Sequence, residues 1–208
     1  MRTEYLTVAR SASAEIEVKR SRFLCDVRRV ETEEAARAVV EAARKQHWDA
    51  RHHCSAFVLG PDAAVARSSD DGEPSGTAGA PMLEVLRGRE VSDVVAVVTR
   101  WFGGVLLGAG GLVRAYGDAV RAGLDDAGVR RRVLMSRFDL AASHADAARW
   151  EADLRARDVT VLGADYAERV VLHLAVPSAS AGDLAPLVAS MTGGAAELFP
   201  AGEDWVDP

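Results

Sequence analysis

The run Val94-Val95-Ala96-Val97-Val98-Thr99 constrains this chain more than any other stretch. A half-buried strand alternates apolar and polar side chains, whereas Val94–Val98 is apolar without a break, as a strand covered on both faces is. It therefore predicts a central strand with a layer of structure on each side. It is far too short to span a bilayer. Glycine-rich loops flank it. The first is Ser68-Ser69-Asp70-Asp71-Gly72-Glu73-Pro74-Ser75-Gly76-Thr77-Ala78-Gly79; the second is Arg100-Trp101-Phe102-Gly103-Gly104-Val105-Leu106-Leu107-Gly108-Ala109-Gly110-Gly111. Glycine at this density lets backbone come close to a partner at an entropic cost a plain connector has no reason to bear, so the two loops are the expected functional centre.

The totals describe an ordinary soluble protein: 208 residues, 49% hydrophobic and 27% charged, enough for one large domain or two small ones. The opening Met1-Arg2-Thr3-Glu4-Tyr5-Leu6 lacks the apolar core of a signal peptide. Cys25 and Cys54 have no disulfide-framework or zinc-ribbon spacing, which points to a reducing cytoplasm. The net charge of −6 is uneven: 21 basic and 19 acidic side chains through Arg137 give +2, and 4 basic and 12 acidic beyond it give −8. Two domains with different surfaces follow, and only the first suits a polyanion.

In chain order, Glu15–Lys19 and Ser21–Val30 read as strands of a hairpin made basic by Lys19, Arg20, Arg22, Arg28 and Arg29. Those charges are either a solvated edge or a patch for phosphate oxygens. Thr32 is a good N-cap, and Ala36, Val39, Val40 and Ala43 form the apolar stripe of the helix it opens. Strands are expected at Cys54–Leu59 and Ala64–Arg67, and Pro81 can sit in the first turn of a short helix over Met82–Leu86. Arg51-His52-His53-Cys54 invites a metal reading. In an extended segment, however, His52 and Cys54 point one way and His53 the other, and no second cluster completes a zinc site.

Asp70, Asp71 and Glu73 could hold a divalent cation, but without the ligand order of an EF-hand. Ser69, Ser75 and Thr77 lack a nucleophile-elbow frame. Strand, second glycine loop and helix share the layout of a phosphate cradle. Yet no Gly-Lys-Ser/Thr ending is present, and Val113 stands where a dinucleotide motif needs its last glycine. Leu112, Tyr116, Ala119, Val120, Gly123 and Leu124 trace one face of the helix that follows, with Arg114/Asp118 and Arg121/Asp125 at i,i+4 on the other.

Gly128 and Arg130-Arg131-Arg132 mark a boundary between domains 1–130 and 131–208. The second reads as strand Leu134–Ala142, helix Ala145–Arg157, strands Val159–Leu162 and Val170–Val176, helix Leu184–Met191 and strand Ala195–Phe199. Ser143 is placed as an N-cap and Gly193-Gly194 as a stop. That order, βαββαβ, is the ferredoxin-like arrangement. It contains no evident catalytic cluster, and its His173 lies in an alternating strand.

On Arg51–Cys54, Arg67–Gly79 and Arg100-Trp101-Phe102-Gly103-Gly104 through Leu112-Val113-Arg114-Ala115-Tyr116-Gly117, in that order, the chain closely resembles the IMPACT/YigZ family, in the form of its bacterial YigZ-like members. The resemblance covers nearly the whole chain. It implies an N-terminal domain like domain 2 of ribosomal protein S5, a fold also seen in domain IV of elongation factor G, and a C-terminal domain like a ferredoxin-like domain of that factor. It also implies a link to translation. The eukaryotic relatives carry a further N-terminal interaction domain for which this chain has no room before Glu15, so their kinase-pathway binding does not transfer. Many relatives place Lys or Arg after the Thr-Ala-Gly, where this chain has Ala80.

The expectation is thus an α+β protein, an S5 domain 2-like domain followed by a ferredoxin-like one. It would be a non-enzymatic, cytoplasmic translation-associated regulator that binds RNA or the ribosome, with no cofactor and no membrane contact. The candidate nucleic-acid or anion site comprises Arg67, Ser69, Gly76, Thr77, Gly79, Arg100, Gly103, Gly104, Gly110, Gly111 and Arg114; Arg67, Arg100 and Arg114 are the first choices for phosphate. The alternatives are a phosphate-ester or nucleotide-dependent enzyme with Asp70, Asp71 and Glu73 as acidic or magnesium site, and an adaptor that binds a protein partner.

Overall fold

The computed structural model describes residues 2–207. Its elements are β1 (Glu4–Val8), β2 (Ala12–Val18), β3 (Ser21–Arg29), α1 (Glu33–Gln46), β4 (His52–Leu59), β5 (Val65–Ser69), α2 (Gly79–Gly88), β6 (Val94–Trp101) and α3 (Ala109–Ala127). They continue with β7 (Val129–Ala142), α4 (Ala147–Arg155), β8 (Thr160–Tyr166), β9 (Val170–Pro177), α5 (Ala181–Thr192) and β10 (Glu197–Val206). The chain divides into two units between Arg131 and Arg132. It is a mixed α+β protein.

In the first unit, the apolar run is the middle strand of an antiparallel sheet in the order β2-β3-β6-β4-β5. Both of its faces are covered. Val94, Ala96 and Val98 join Phe23, Cys25, Cys54 and Val58 under α2 and α3, while Val95 and Val97 pack with Phe57, Leu59, Ala36 and Ala43 under α1. The seating of α3 is close: a Cβ on Gly123 would meet Val27 Cγ2 at 2.8 Å and Cys25 Sγ at 2.9 Å, so only glycine fits there. Thr32 caps α1, its Oγ1 accepting from the Ala35 amide at 3.1 Å.

The sequence pattern does not disclose β1. Its Leu6 bridges Val91 in parallel, its carbonyl accepts from the Ser92 amide, and the Tyr5 hydroxyl donates to the Asp93 carboxylate. On α3 the ion pairs differ from the i,i+4 expectation: Arg121 bonds Asp118 one turn back, and Asp125 is taken by Arg89 at the C-cap of α2. A tertiary partner outcompetes the local one, and Arg114 is left without an ion pair among the described residues.

The second unit holds the sequence β7-α4-β8-β9-α5-β10, with the strands arranged β10-β7-β9-β8 and every neighbouring pair antiparallel. Leu140, Leu172, Leu174 and Val161 form its core with Trp150, Leu154, Leu184 and Val188. Gly193, in the left-handed region at φ 62°, ends α5. Two local readings differ. Ser143 opens a turn by accepting from the Asp146 amide at 3.1 Å, and the helix starts later with Asp146 at its N-cap position. Pro200 and Gly202 look like terminators, yet the strand continues through a register shift between Pro200 and Glu203.

Candidate functional site

The two glycine loops, alike in composition, are built on opposite principles. In the first, Asp70 folds back over the segment that follows it. Its Oδ1 accepts from the amides of Ala78 and Gly79 at 3.0 and 2.8 Å, and its Oδ2 from Gly76 at 2.8 Å. Burial works against the charge, but these three hydrogen bonds outweigh it and hold the carboxyl below its ordinary range. Asp70 is thereby the anion at the start of α2, supplied in cis. The Gly76 and Gly79 amides expected to meet phosphate are already occupied, and the Thr77 hydroxyl is spent on the Pro74 carbonyl at 2.6 Å. Gly79 is required for fit, since a Cβ there would lie 2.8 Å from the Ser69 backbone. With Asp70 in place, the missing positive charge at Ala80 leaves no local deficit.

The three acidic residues are not brought together: each has partners of its own. Asp71 accepts from the His53 amide at 2.7 Å and pairs with Arg44 at 2.6 Å. Glu73 turns inward, where its Oε1 accepts from Arg100 Nη1 at 2.6 Å and from the Tyr116 hydroxyl at 2.8 Å. No group of three His, Cys, Asp or Glu side chains is placed to hold a metal ion among the described residues. The three carboxylates are dispersed because each answers a different local donor.

The Arg51–Cys54 segment divides as strand geometry requires. His52 Nδ1 lies 2.9 Å from the Asp71 carbonyl, and the Cys54 thiol donates to the Asp70 carbonyl at 3.0 Å and lies 3.3 Å from the Tyr116 hydroxyl. His53 faces the other way, its Nε2 3.2 Å from the His47 carbonyl, and burial lowers its pKa. Burial also pushes the Cys54 thiol up to about 12, so it is no nucleophile at neutral pH.

The second loop stays open. Gly108, at φ 72°, holds the N-cap position of α3 with no side-chain cap, and the amides of Ala109, Gly110 and Gly111 have no partner among the described residues. Gly103 anchors the loop on the Lys19-Arg20 turn. Its amide donates to Ser21 Oγ at 3.1 Å, and a Cβ would fall 2.0 Å from the Arg20 carbonyl carbon. Gly104, at φ 82°, makes the next turn. The loop then presents Phe102 and Leu106, 53% and 82% exposed, beside an open cleft of 370 Å³ that Pro74, Leu107, Gly108, Leu112 and Arg51 also line.

Arg67, Arg100 and Arg114, expected to act together, are separated. Arg67 lies in a groove between α1 and β5, Arg114 in a groove between α2 and α3 on the opposite face of the sheet, and Arg100 is buried against Glu73. The cations nearest the open loop are others. Of the hairpin's charges, Arg22, Arg28 and Arg29 pair with Glu15, Asp26 and Glu31. Lys19, Arg20 and Arg51 are exposed and make no ion pair among the described residues. Arg22 also lies 4.7 Å over the Trp101 ring, whose Nε1 donates to Asp49 at 2.8 Å. Sequence alone could flag the hairpin as basic, but which of its cations are already neutralised depends on cross-strand neighbours.

A two-unit α+β protein whose first unit carries one self-satisfied and one open glycine loop is the class these features define. The Impact N-terminal domain model matches residues 19–124, and a domain of unknown function, DUF1949, matches residues 140–195. The chain belongs to the IMPACT family. It is 41% identical to IMPACT family member YvyE of Bacillus subtilis, over 93% of this chain and 89% of that one. It is 40% identical to IMPACT family member YigZ of Escherichia coli, over 88% and 91%. A crystal structure of a hypothetical protein superposes with a TM-score of 0.65 at 38% identity, covering 96% of this chain and 98% of that one. The Saccharomyces cerevisiae Protein IMPACT homolog matches over a smaller part, 33% identical across 55% of this chain and 47% of its own. No helix of the described residues is long and apolar enough to cross a membrane.

Proposed function

We propose that this protein binds RNA in a translation-associated role, through the open second glycine loop of its first unit. The observation that carries this reading is an exposed aromatic, Phe102, on a loop anchored by Gly103 to a turn bearing the unpaired Lys19 and Arg20, with Arg51 beside the same cleft. Nucleic-acid binders that grip single strands combine such cations with an aromatic face on which a base stacks. The uncapped start of α3 adds backbone donors for a phosphate oxygen. The net charge of −6 does not oppose this, because the field at the loop is set by its nearest charges.

Family likeness supports the translation setting and an S5 domain 2-like first unit. The β10-β7-β9-β8 order of a βαββαβ chain supports a ferredoxin-like second unit. Arg67 and Arg114 lie outside this surface, and Arg100 supports it from beneath.

Filter binding or ribosome cosedimentation across a salt series tests the reading. Neutralising three phosphates on a single strand should lower log K by about 2 per log unit of salt, and Arg20→Ala or Arg51→Ala should each reduce that slope by about 0.7. Absence of binding at low salt, or binding indifferent to salt, would overturn it.

A further inference from the structure

Both hydrogen bonds that Glu73 receives arrive at Oε1, and Oε2 has no partner among the described residues. The side chain is only 3% exposed, yet Glu73 lines the cleft beside Phe102. Oε2 is not closed off from solvent as a fully buried orphan atom is, so it is the oxygen the cleft can reach, and a ligand that brings an N–H can replace its solvation with a directed hydrogen bond. Arg100, 8% exposed and 2.6 Å from the other oxygen, balances the charge, so the floor of the cleft is a neutral pair that presents an acceptor. A bare cation gains little there. The flanks are apolar and aromatic, formed by Pro74, Phe102, Leu106 and Leu112. At 370 Å³ the cleft lies within the range of small-ligand sites, about 300–1,000 Å³. Gly108 and Ala109, at the uncapped start of α3, line the same cleft.

An apolar-faced planar group with N–H donors on its edge and an anion attached describes a nucleotide. We propose that the cleft is a pocket for one unstacked nucleobase, its face against Phe102, its exocyclic amino group donating to Glu73 Oε2 and its phosphate at the first-turn amides of α3. The base comes either from a single RNA strand, in which case the proposal rests on the RNA reading above, or from a free nucleotide. At the contact proposed for the exocyclic amino group, an amino-bearing base fits where the uracil O4 does not. Cytosine N4 donates at the edge where uracil offers O4, which would face the carboxylate oxygen.

The experiment compares cytidine and uridine monophosphates with short oligocytidylate and oligouridylate at matched salt, using the full chain. Heteronuclear NMR follows the Ala109, Gly110 and Gly111 amides, and fluorescence anisotropy follows the strands. The cytidine ligands should bind about tenfold more tightly than the uridine ones and shift those amides. Leu106→Trp places a bulky group on an exposed position at the cleft and should remove the base preference. Glu73→Gln should also erase the preference, with circular dichroism to verify folding.

Equal binding of cytidine and uridine with a normal salt slope overturns the pocket and leaves the RNA reading standing. Mononucleotide binding with the preference but no strand binding upholds the pocket and overturns the RNA reading. Binding of neither overturns both. A preference that survives Leu106→Trp also overturns the pocket, since the selecting contact would lie elsewhere.

Discussion

Arg100 Nη1 meets Glu73 Oε1 at 2.6 Å across a sequence separation of 27 residues, and joins the end of the central strand to the first glycine loop. Tyr116 of α3 donates to the same oxygen, and its ring packs edge-on against Phe23 at 5.2 Å. Three elements thus converge on one carboxylate oxygen. A charge pair this deep holds only because both partners are present.

Removing one partner should therefore cost far more than removing a surface ion pair. Arg100→Leu leaves Glu73 buried without its counter-charge, at an expected loss of about 3–5 kcal/mol. Tyr116→Phe should lose about 1.5–3 kcal/mol, the worth of a hydrogen bond to a charged group. Chemical denaturation measures both. Losses that sum without coupling in the double variant would show that the two donors do not share the carboxylate.

Glycines in the second loop should respond oppositely to alanine. Gly103→Ala forces a Cβ into the Arg20 backbone, and about 1–3 kcal/mol of strain is expected. Gly110 lies in the first turn of α3 with open space around its Cβ position, so Gly110→Ala should be neutral or stabilise by up to about 1 kcal/mol. Thermal unfolding of the two variants distinguishes them.

Thiol chemistry should be silent in the native state. Cys25 and Cys54 are both fully buried, and burial raises both thiols, Cys54 to about 12. Alkylation at pH 8 should proceed only as fast as the fold opens, and denaturant should expose both thiols together. Rapid native labelling of either would contradict this packing.

Two titrations should affect stability with opposite signs. His173 lies between Asp139 at 2.7 Å and Asp165 at 3.1 Å, and the Asp139 hydrogen bond, aided by Asp165, raises its pKa above 6.5. Its contribution is complete below about pH 6.5 and is lost as pH rises through the raised value. Wild type should lose stability relative to His173→Gln on going from pH 6 to pH 8. Asp70 acts in reverse. Its lowered pKa gives a contribution present above its ordinary value of 3.8 and lost as pH falls through the lowered one. Asp70→Asn should flatten that part of the acid limb. Unfolding midpoints across pH check both.

The elements that local pattern controls were legible in the sequence. Val94–Val98 read as a strand covered twice, Thr32 as a cap and Gly193 as a stop, because burial period, side-chain capping and left-handed φ are properties of a few adjacent residues. β1 was not legible, since its partners are distant, and β10 runs to Val206, past the expected end at Phe199, through a register shift at Pro200–Glu203.

At the site, composition identified the two glycine loops and assigned them one shared role. Their divergence is tertiary. Asp70 occupies the amides of the first loop because the chain turns back on itself there, whereas nothing equivalent reaches the start of α3. Sequence likewise supplied the arginines but not their pairings: Glu73 neutralises Arg100 and Glu15 neutralises Arg22, while Lys19, Arg20 and Arg51 remain exposed. The sequence by itself determined a buried central strand, two glycine loops and a basic first half, all of which follow from residue type and local order. Which loop stays open and which cations stay unpaired was decided by the tertiary structure alone, because hydrogen-bond and charge satisfaction depend on groups that only folding brings within about 3 Å.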